Sequence, residues 1–182
     1  RTGLFDADNP ENPVADHSIV YVPYCTGDVH IGNTTTEYSP EVVIEHRGAA
    51  NANAALAYLA ERYPDAEQVL VTGASAGSVP TPLVAGLVSD ALPDAEVITL
   101  GDSSGAYPDV PAVNELIGSL WGTENAIPDW PENEGIALAD WSFPNLYVQA
   151  GLHAPDITFA RFDYAFDDVQ ASFAALAGVG AD

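Results

Sequence analysis

The clearest signal along the chain is a change of period near residue 48. Ala52, Ala55, Leu56, Leu59, Ala60 and Tyr63 recur at helical spacing, so residues 48–63 are predicted to form a helix with one apolar face. Pro64-Asp65-Ala66 breaks it, and the run from Gln68 to Thr72 predicts a strand. A second apolar segment, through Leu83, Val84, Leu87, Val88 and Leu92, reads as a buried helix. Pro93-Asp94-Ala95 ends it, and Val97-Ile98-Thr99-Leu100 predicts another strand. Two successive helix, Pro-Asp-Ala, strand units point to βαβ winding, hence an α/β class with a mostly parallel sheet flanked by helices. In such sheets sites form at the carboxyl ends of the strands.

The remaining pattern is weaker. Residues 1–16 read as loop; Asp6, Asp8 and Glu11 fail as a calcium loop because Pro10 intrudes and the required glycine is missing. Residues 18–24 predict a buried strand, 25–39 a polar loop, 42–44 a short strand and 113–121 a short helix. Residues 122–144 are irregular. Trp121, Trp130 and Trp141 either pin that stretch to the body, the preferred reading, or form a stacking platform for a ligand. Residues 146–149 and 157–162 predict further strands. Residues 168–177 predict a closing helix with Val169, Phe173 and Leu176 inward. The loops at 25–39, 73–77 and 101–111 each follow a predicted strand and are expected on one rim. No linker interrupts the pattern, so residues 1–182 read as a single domain.

Charge changes the picture. The net charge is -23, from 27 acids against 4 arginines and no lysine. No basic patch can be built, which excludes a general nucleic-acid binder and argues against an anionic membrane surface. No apolar run is long enough to insert into a membrane. The plainest account of the acidic excess is a salt-rich medium, in which repulsion is screened. Cys25 is alone and leaves the redox compartment unread. The chain opens at Arg1, contains no methionine and shows no signal-peptide pattern.

The candidate chemistry sits between the first βαβ strand and its helix. Gly73-Ala74-Ser75-Ala76-Gly77 follows a β-branched run and precedes an apolar helix, the context of a nucleophile elbow. There a serine at the tip of a tight turn points its hydroxyl away from the sheet. The flanking glycines let helix and strand cross closely, and the Ala76 N–H faces a developing oxyanion. The bland alternative is a Gly-rich turn carrying a structural serine. A serine nucleophile needs a base, and the base needs an orienting acid. Asp163, Asp167 and Asp168 follow the last predicted strand, where this architecture puts the acid. None of His17, His30, His46 and His153 follows Asp168. His153 is the fallback base, and His30 and His46 read as loop or helix-start residues.

Tyr24-Cys25-Thr26-Gly27-Asp28-Val29-His30-Ile31-Gly32, His46-Arg47-Gly48, Gly73 to Gly77, Gly101-Asp102-Ser103-Ser104-Gly105 and Asp167-Asp168-Val169-Gln170 occur in that order. Together they resemble the ordered signatures of the pectin acetylesterase (Notum-like) family, from Tyr24 to Gln170. The resemblance implies an α/β-hydrolase fold and a secreted carboxylic-ester hydrolase that removes acetyl groups from a polysaccharide or a small acyl ester. It implies a Ser-His-Asp triad with Ser75 as nucleophile, Asp167 rather than Asp163 or Asp168 as acid, and Ala76 as an oxyanion donor. No metal or cofactor is called for. Two features depart from the family: no Gly-rich oxyanion loop lies between Arg1 and Tyr24, and no histidine follows Asp167. A fragment of a longer enzyme, lacking its N-terminal oxyanion loop and C-terminal histidine segment, is therefore expected. The single cysteine also departs from disulfide-rich eukaryotic members. The alternative is a non-catalytic binding domain with an inert Ser75, for which the missing histidine is the support. The charge predicts a neutral ester substrate over a strongly anionic polymer at low salt, unless Arg47 or Arg161 reverses the potential at the mouth of the site.

Overall fold

A computed structural model describes residues 3–105, 107 and 109–178. The first regular elements are a hairpin, β1 (Thr34–Ser39) paired antiparallel with β2 (Val42–His46). Helix α1 (Gly48–Arg62) leads to β3 (Gln68–Ala74), α2 (Thr81–Ala91) and β4 (Glu96–Asp102). Then α3 (Pro111–Trp121) and α4 (Phe143–His153), joined by three short 3-10 turns, precede β5 (Thr158–Phe162) and α5 (Asp168–Leu176). Strands β3, β4 and β5 form a parallel sheet in that order, as the repeated Pro-Asp-Ala breaks predict. Ala74, Asp102 and Phe162 stand in register at its carboxyl edge.

Helix α2 holds this sheet in place. Thr81, Pro82, Leu83, Ala85, Gly86 and Val88 are all buried, the mark of a helix covered on nearly every side. Its Leu83 packs in one cluster with Ile31, Val79, Trp130, Leu146 and Ala150. Its Ala85 and Val88 pack in a second with Leu92, Val97 and Ile157. Each fully buried Leu, Val or Ile contributes about 1.5–3 kcal/mol, so α2 is the piece the sheet cannot lose.

Four expectations are corrected. Residues 146–149 are not a strand but the middle of α4. The Ser142 hydroxyl caps that helix by accepting the Asn145 N–H, and Pro144 fits its first turn. Residues 18–24 form no strand, and Ile19 and Tyr21 are exposed, because β-branched propensity needs a partner to pair with. The polar loop at 25–39 gives its last six residues to β1. Val169, Phe173 and Leu176 are exposed rather than inward: α5 is helical as its spacing predicts, but no described element covers its apolar side. The tryptophans form no common platform. Trp130 lies in the core, Trp141 packs against the same cluster, and Trp121 faces the His46 ring.

Candidate active site

A tight turn joins β3 to α2. Residues Ser75–Gly77 form a single 3-10 turn, and Ser75, which is exposed, has φ +53°. Left-handed backbone at a non-glycine residue costs about 1–3 kcal/mol and persists only where the surroundings impose it. A Cβ on Gly73 would overlap the backbone carbonyl of Gly77, so Gly73 sets how closely strand and helix cross. Gly77 is different: a Cβ there meets open space, which narrows the steric need from two glycines to one. Ala76 lies within the turn, among the early N–H groups that have no acceptor inside it.

The neighbouring strands bring further polar groups to this edge. After β4, Ser103 is also left-handed, with φ +62°, and its hydroxyl donates to Asp102 Oδ1 at 2.6 Å. The buried hydroxyls of Ser78 and Ser104 hydrogen-bond, tying the loop after β4 to the start of α2. After β5, Asp163 accepts the Gly105 N–H at 2.7 Å and pairs with Arg161 at 3.3 Å. A shallow surface depression lies here, lined in part by Ser104, Gly105, Tyr147 and Arg161. The sequence points to Arg161 only as a possible charge at the mouth and not to Tyr147, which the predicted strand over 146–149 hides. Arg47 instead pairs with Glu45 on the hairpin. Ala106 and Pro108, in the loop after β4, lie outside the described residues.

Asp167 is the N-cap of α5. One carboxylate oxygen accepts the N–H groups of Val169 and Gln170 at 3.0 and 2.9 Å, and the other accepts the Gln170 side-chain amide at 2.8 Å. The Gln170 amide, then the backbone donors, hold its carboxyl below the usual range against a smaller opposing effect of burial. Its charge reaches Tyr107 in the loop after β4, whose hydroxyl is pushed up first by burial and then by Asp167. Ser75 and Asp167 both follow strands at the carboxyl edge, and β3 and β5 flank β4 about 10 Å apart. Asp163 is engaged in pinning Gly105. Asp168 lies in the first turn of α5, where its carbonyl accepts the Ser172 hydroxyl.

The histidines are placed differently. His46 is buried, with Nδ1 2.9 Å from the Thr26 carbonyl and Nε2 2.9 Å from the Tyr38 hydroxyl. Beside it Asp28, fully buried, accepts the Gly48 N–H at 2.8 Å and the His30 N–H at 3.2 Å, and a Cβ on Gly32 or Gly48 would collide with its side chain. The carboxylate thus joins the 24–32 stretch, in which Val29 and His30 have φ +46° and +61°, to the start of α1. His30 lies against Tyr24, and burial lowers its pKa despite the opposing charge of Asp28, so it is neutral at pH 7. His153 is corrected as the fallback base. It ends α4, which runs toward the opposite edge of the sheet from Ser75, and both its ring nitrogens face carboxylates there.

No curated protein and no solved structure matches the chain. The sequence model of pectinacetylesterase matches residues 1–120, which include Ser75 and Ala76 and stop short of Asp167. That covers well over half of the 182 residues, and on it the chain belongs to the pectinacetylesterase family, a family of carboxylic ester hydrolases.

Proposed function

We propose that this chain carries the nucleophile and acid of a serine esterase of α/β-hydrolase type that removes acetyl or other short acyl groups from a polysaccharide or a small ester. The observation that carries the reading is Ser75: exposed, left-handed, and at the tip of the turn between a parallel strand and a buried helix. In this reading the Ser75 hydroxyl attacks the acyl carbon while an imidazole takes its proton. The Ala76 N–H receives the developing oxyanion, and the Asp167 carboxylate orients the imidazole. The base is proposed to be a histidine outside residues 1–182, since His46 and His153 commit both ring nitrogens elsewhere, His30 packs on Tyr24, and His17 is exposed among the amino-terminal turns and follows no described strand. A second oxyanion donor is proposed to come from a Gly-rich loop likewise outside this stretch. Secretion is proposed on the family's account alone.

The test compares residues 1–182, a longer natural chain that adds both flanks, and its Ser75→Ala variant on a short acyl ester. The longer chain is expected to be active and residues 1–182 slow. Ser75→Ala is expected to lower kcat/KM by at least about a thousandfold. Equal rates for the longer chain and its Ser75→Ala variant would reject Ser75 as nucleophile. The charge of -23 adds a second reading of the same assay. An anionic ester is expected to gain steeply from ionic strength, as the Debye length shrinks from about 30 Å at 0.01 M to about 3 Å at 1 M, and a neutral ester much less. Flat, parallel curves would leave the charge argument without support, and an anionic ester that loses rate as salt rises would point to a local positive group such as Arg161.

A further inference from the structure

At the edge of the sheet away from Ser75, where α2 and α4 end, three side chains from three elements meet. His153 Nε2 lies 2.7 Å from Asp90 Oδ1 of α2, and Nδ1 lies 3.2 Å from Glu132 Oε2 in the turn Pro131–Asn133. The imidazole stacks on Trp130, with centroids 4.1 Å apart and planes 8° from parallel. Trp130 Nε1 donates to the other Asp90 oxygen at 2.9 Å. The two carboxylates face opposite sides of the ring and cannot converge on one ion. Among the described residues no group of three or more His, Cys, Asp or Glu side chains is set to hold a metal.

A carboxylate only accepts, and a neutral imidazole carries one N–H. Both contacts can be hydrogen bonds only when both ring nitrogens are protonated. We propose that His153, Asp90 and Glu132 form a proton-operated latch, in which the doubly protonated ring ties the Pro131–Asn133 turn to the ends of α2 and α4 and loss of one proton to solvent releases it. Release begins at Glu132: the shorter bond to Asp90 keeps the remaining N–H, and the Nδ1 lone pair then faces a carboxylate. Docking shelters the bonds within the turn, from the Asn133 N–H to the Trp130 carbonyl and from the buried Asn133 side chain to the Pro128 carbonyl, so release opens them to exchange. The latch therefore governs how the turn docks. Ile127 and Trp141, on either side of the turn, line a shallow, mostly apolar depression, so undocking alters its wall.

The charged groups acting on the ring are Asp90 from α2 and Glu132 from the turn; Trp130 presents an uncharged face that favours a cation. Burial pulls the His153 pKa down, but the two hydrogen bonds and two negative charges outweigh it and raise the pKa above its ordinary value. A histidine raised on folding stabilises fully below its unfolded value, about 6.5, and loses that contribution as pH rises through the folded value. The latch is closed in acid and opens toward alkaline pH.

The test is amide hydrogen exchange at residues 129–134, corrected for intrinsic base catalysis, from pH 6 to 9, with the His153 ring titration followed by NMR. It does not depend on the role of Ser75. Wild-type protection is expected to fall by about tenfold as the ring deprotonates. In Glu132→Gln the new amide donates to neutral Nδ1, so protection is expected to hold within about twofold over the whole range. His153→Gln cannot titrate and is expected to show low, pH-independent protection; should it fail to fold, Glu132→Gln decides the matter. Flat wild-type protection, an unchanged pH dependence in Glu132→Gln, or a His153 titration at or below the ordinary value would overturn the latch.

Discussion

The two edges of the parallel sheet are built on opposite terms. At the carboxyl edge the backbone is strained at Ser75 and Ser103, and Ser75 is exposed. At the other edge none of Asp90, Trp130, Glu132 and His153 has a positive φ, and the side chains saturate one another. Strain survives only where tight packing gives the chain no alternative, and it survives here beside the turn that the sequence marks for chemistry. The opposite edge joins elements far apart in the chain and gains nothing from strain.

Glycine substitutions test that contrast most sharply. Gly73→Ala drives a Cβ into the backbone of Gly77, which has no rotamer to yield, and is expected to cost about 3 kcal/mol in denaturant unfolding. Gly77→Ala, meeting open space, should stay within about 0.5 kcal/mol; equal costs for the two would mean the crossing is not tight. At the other edge Gly86→Ala meets the far rim of the Trp130 ring, a side chain rather than backbone. Its cost should be smaller, about 1–2 kcal/mol after about 1 kcal/mol of gained helix propensity, with a shift in tryptophan fluorescence. Unaltered fluorescence would show that Trp130 is not wedged against α2. Ser75→Gly should raise stability by about 0.5–1 kcal/mol, because relief of strain exceeds the entropy that glycine loses on folding. A stability loss would mean that Ser75 is not strained. The smallest effect concerns acid. The Asp167 carboxyl is depressed on folding, so its contribution is present above the ordinary carboxylate value and fades as pH falls through the lower folded value. Asp167→Asn keeps an N-cap but lacks this charge-dependent contribution, so its Tm should lie slightly below wild type at pH 7 and converge with it below about pH 4. Identical slopes would count against the hydrogen bonds from Gln170.

The sequence carries the β3–α2–β4 unit openly, because alternating apolar runs, Pro-Asp-Ala breaks and a Gly-flanked serine all agree. Residues 146–149 mislead because Leu146, Tyr147 and Val148 fit either period. The deciding signals lie outside that window, in Ser142 as cap, Pro144 in the first turn, and buried Leu146, Gln149 and Ala150 at helical spacing. For α5 the spacing predicts the helix but not what covers it, since periodicity names an apolar face and no neighbour. At the candidate site Ser75 is legible from local sequence, whereas Asp163, Asp167 and Asp168 cannot be separated without the resemblance, and the family match itself ends at residue 120. His153 is the opposite case: its partners lie 63 and 21 residues away in the chain, and no local pattern could assign them.

One feature of the amino-terminal part bears on handling. Ile19-Val20-Tyr21-Val22 is a β-prone run held in no strand, with Ile19 53% and Tyr21 69% exposed. Such a run is a template for edge-to-edge pairing between copies, and no lysine lies anywhere in the chain to interrupt it. What separates copies is the acidic surface, and its reach falls from about 8 Å at physiological ionic strength to about 3 Å at 1 M salt. Concentrated salt, the setting that the composition suits, is thus also the setting in which cross-β association of this segment is least opposed.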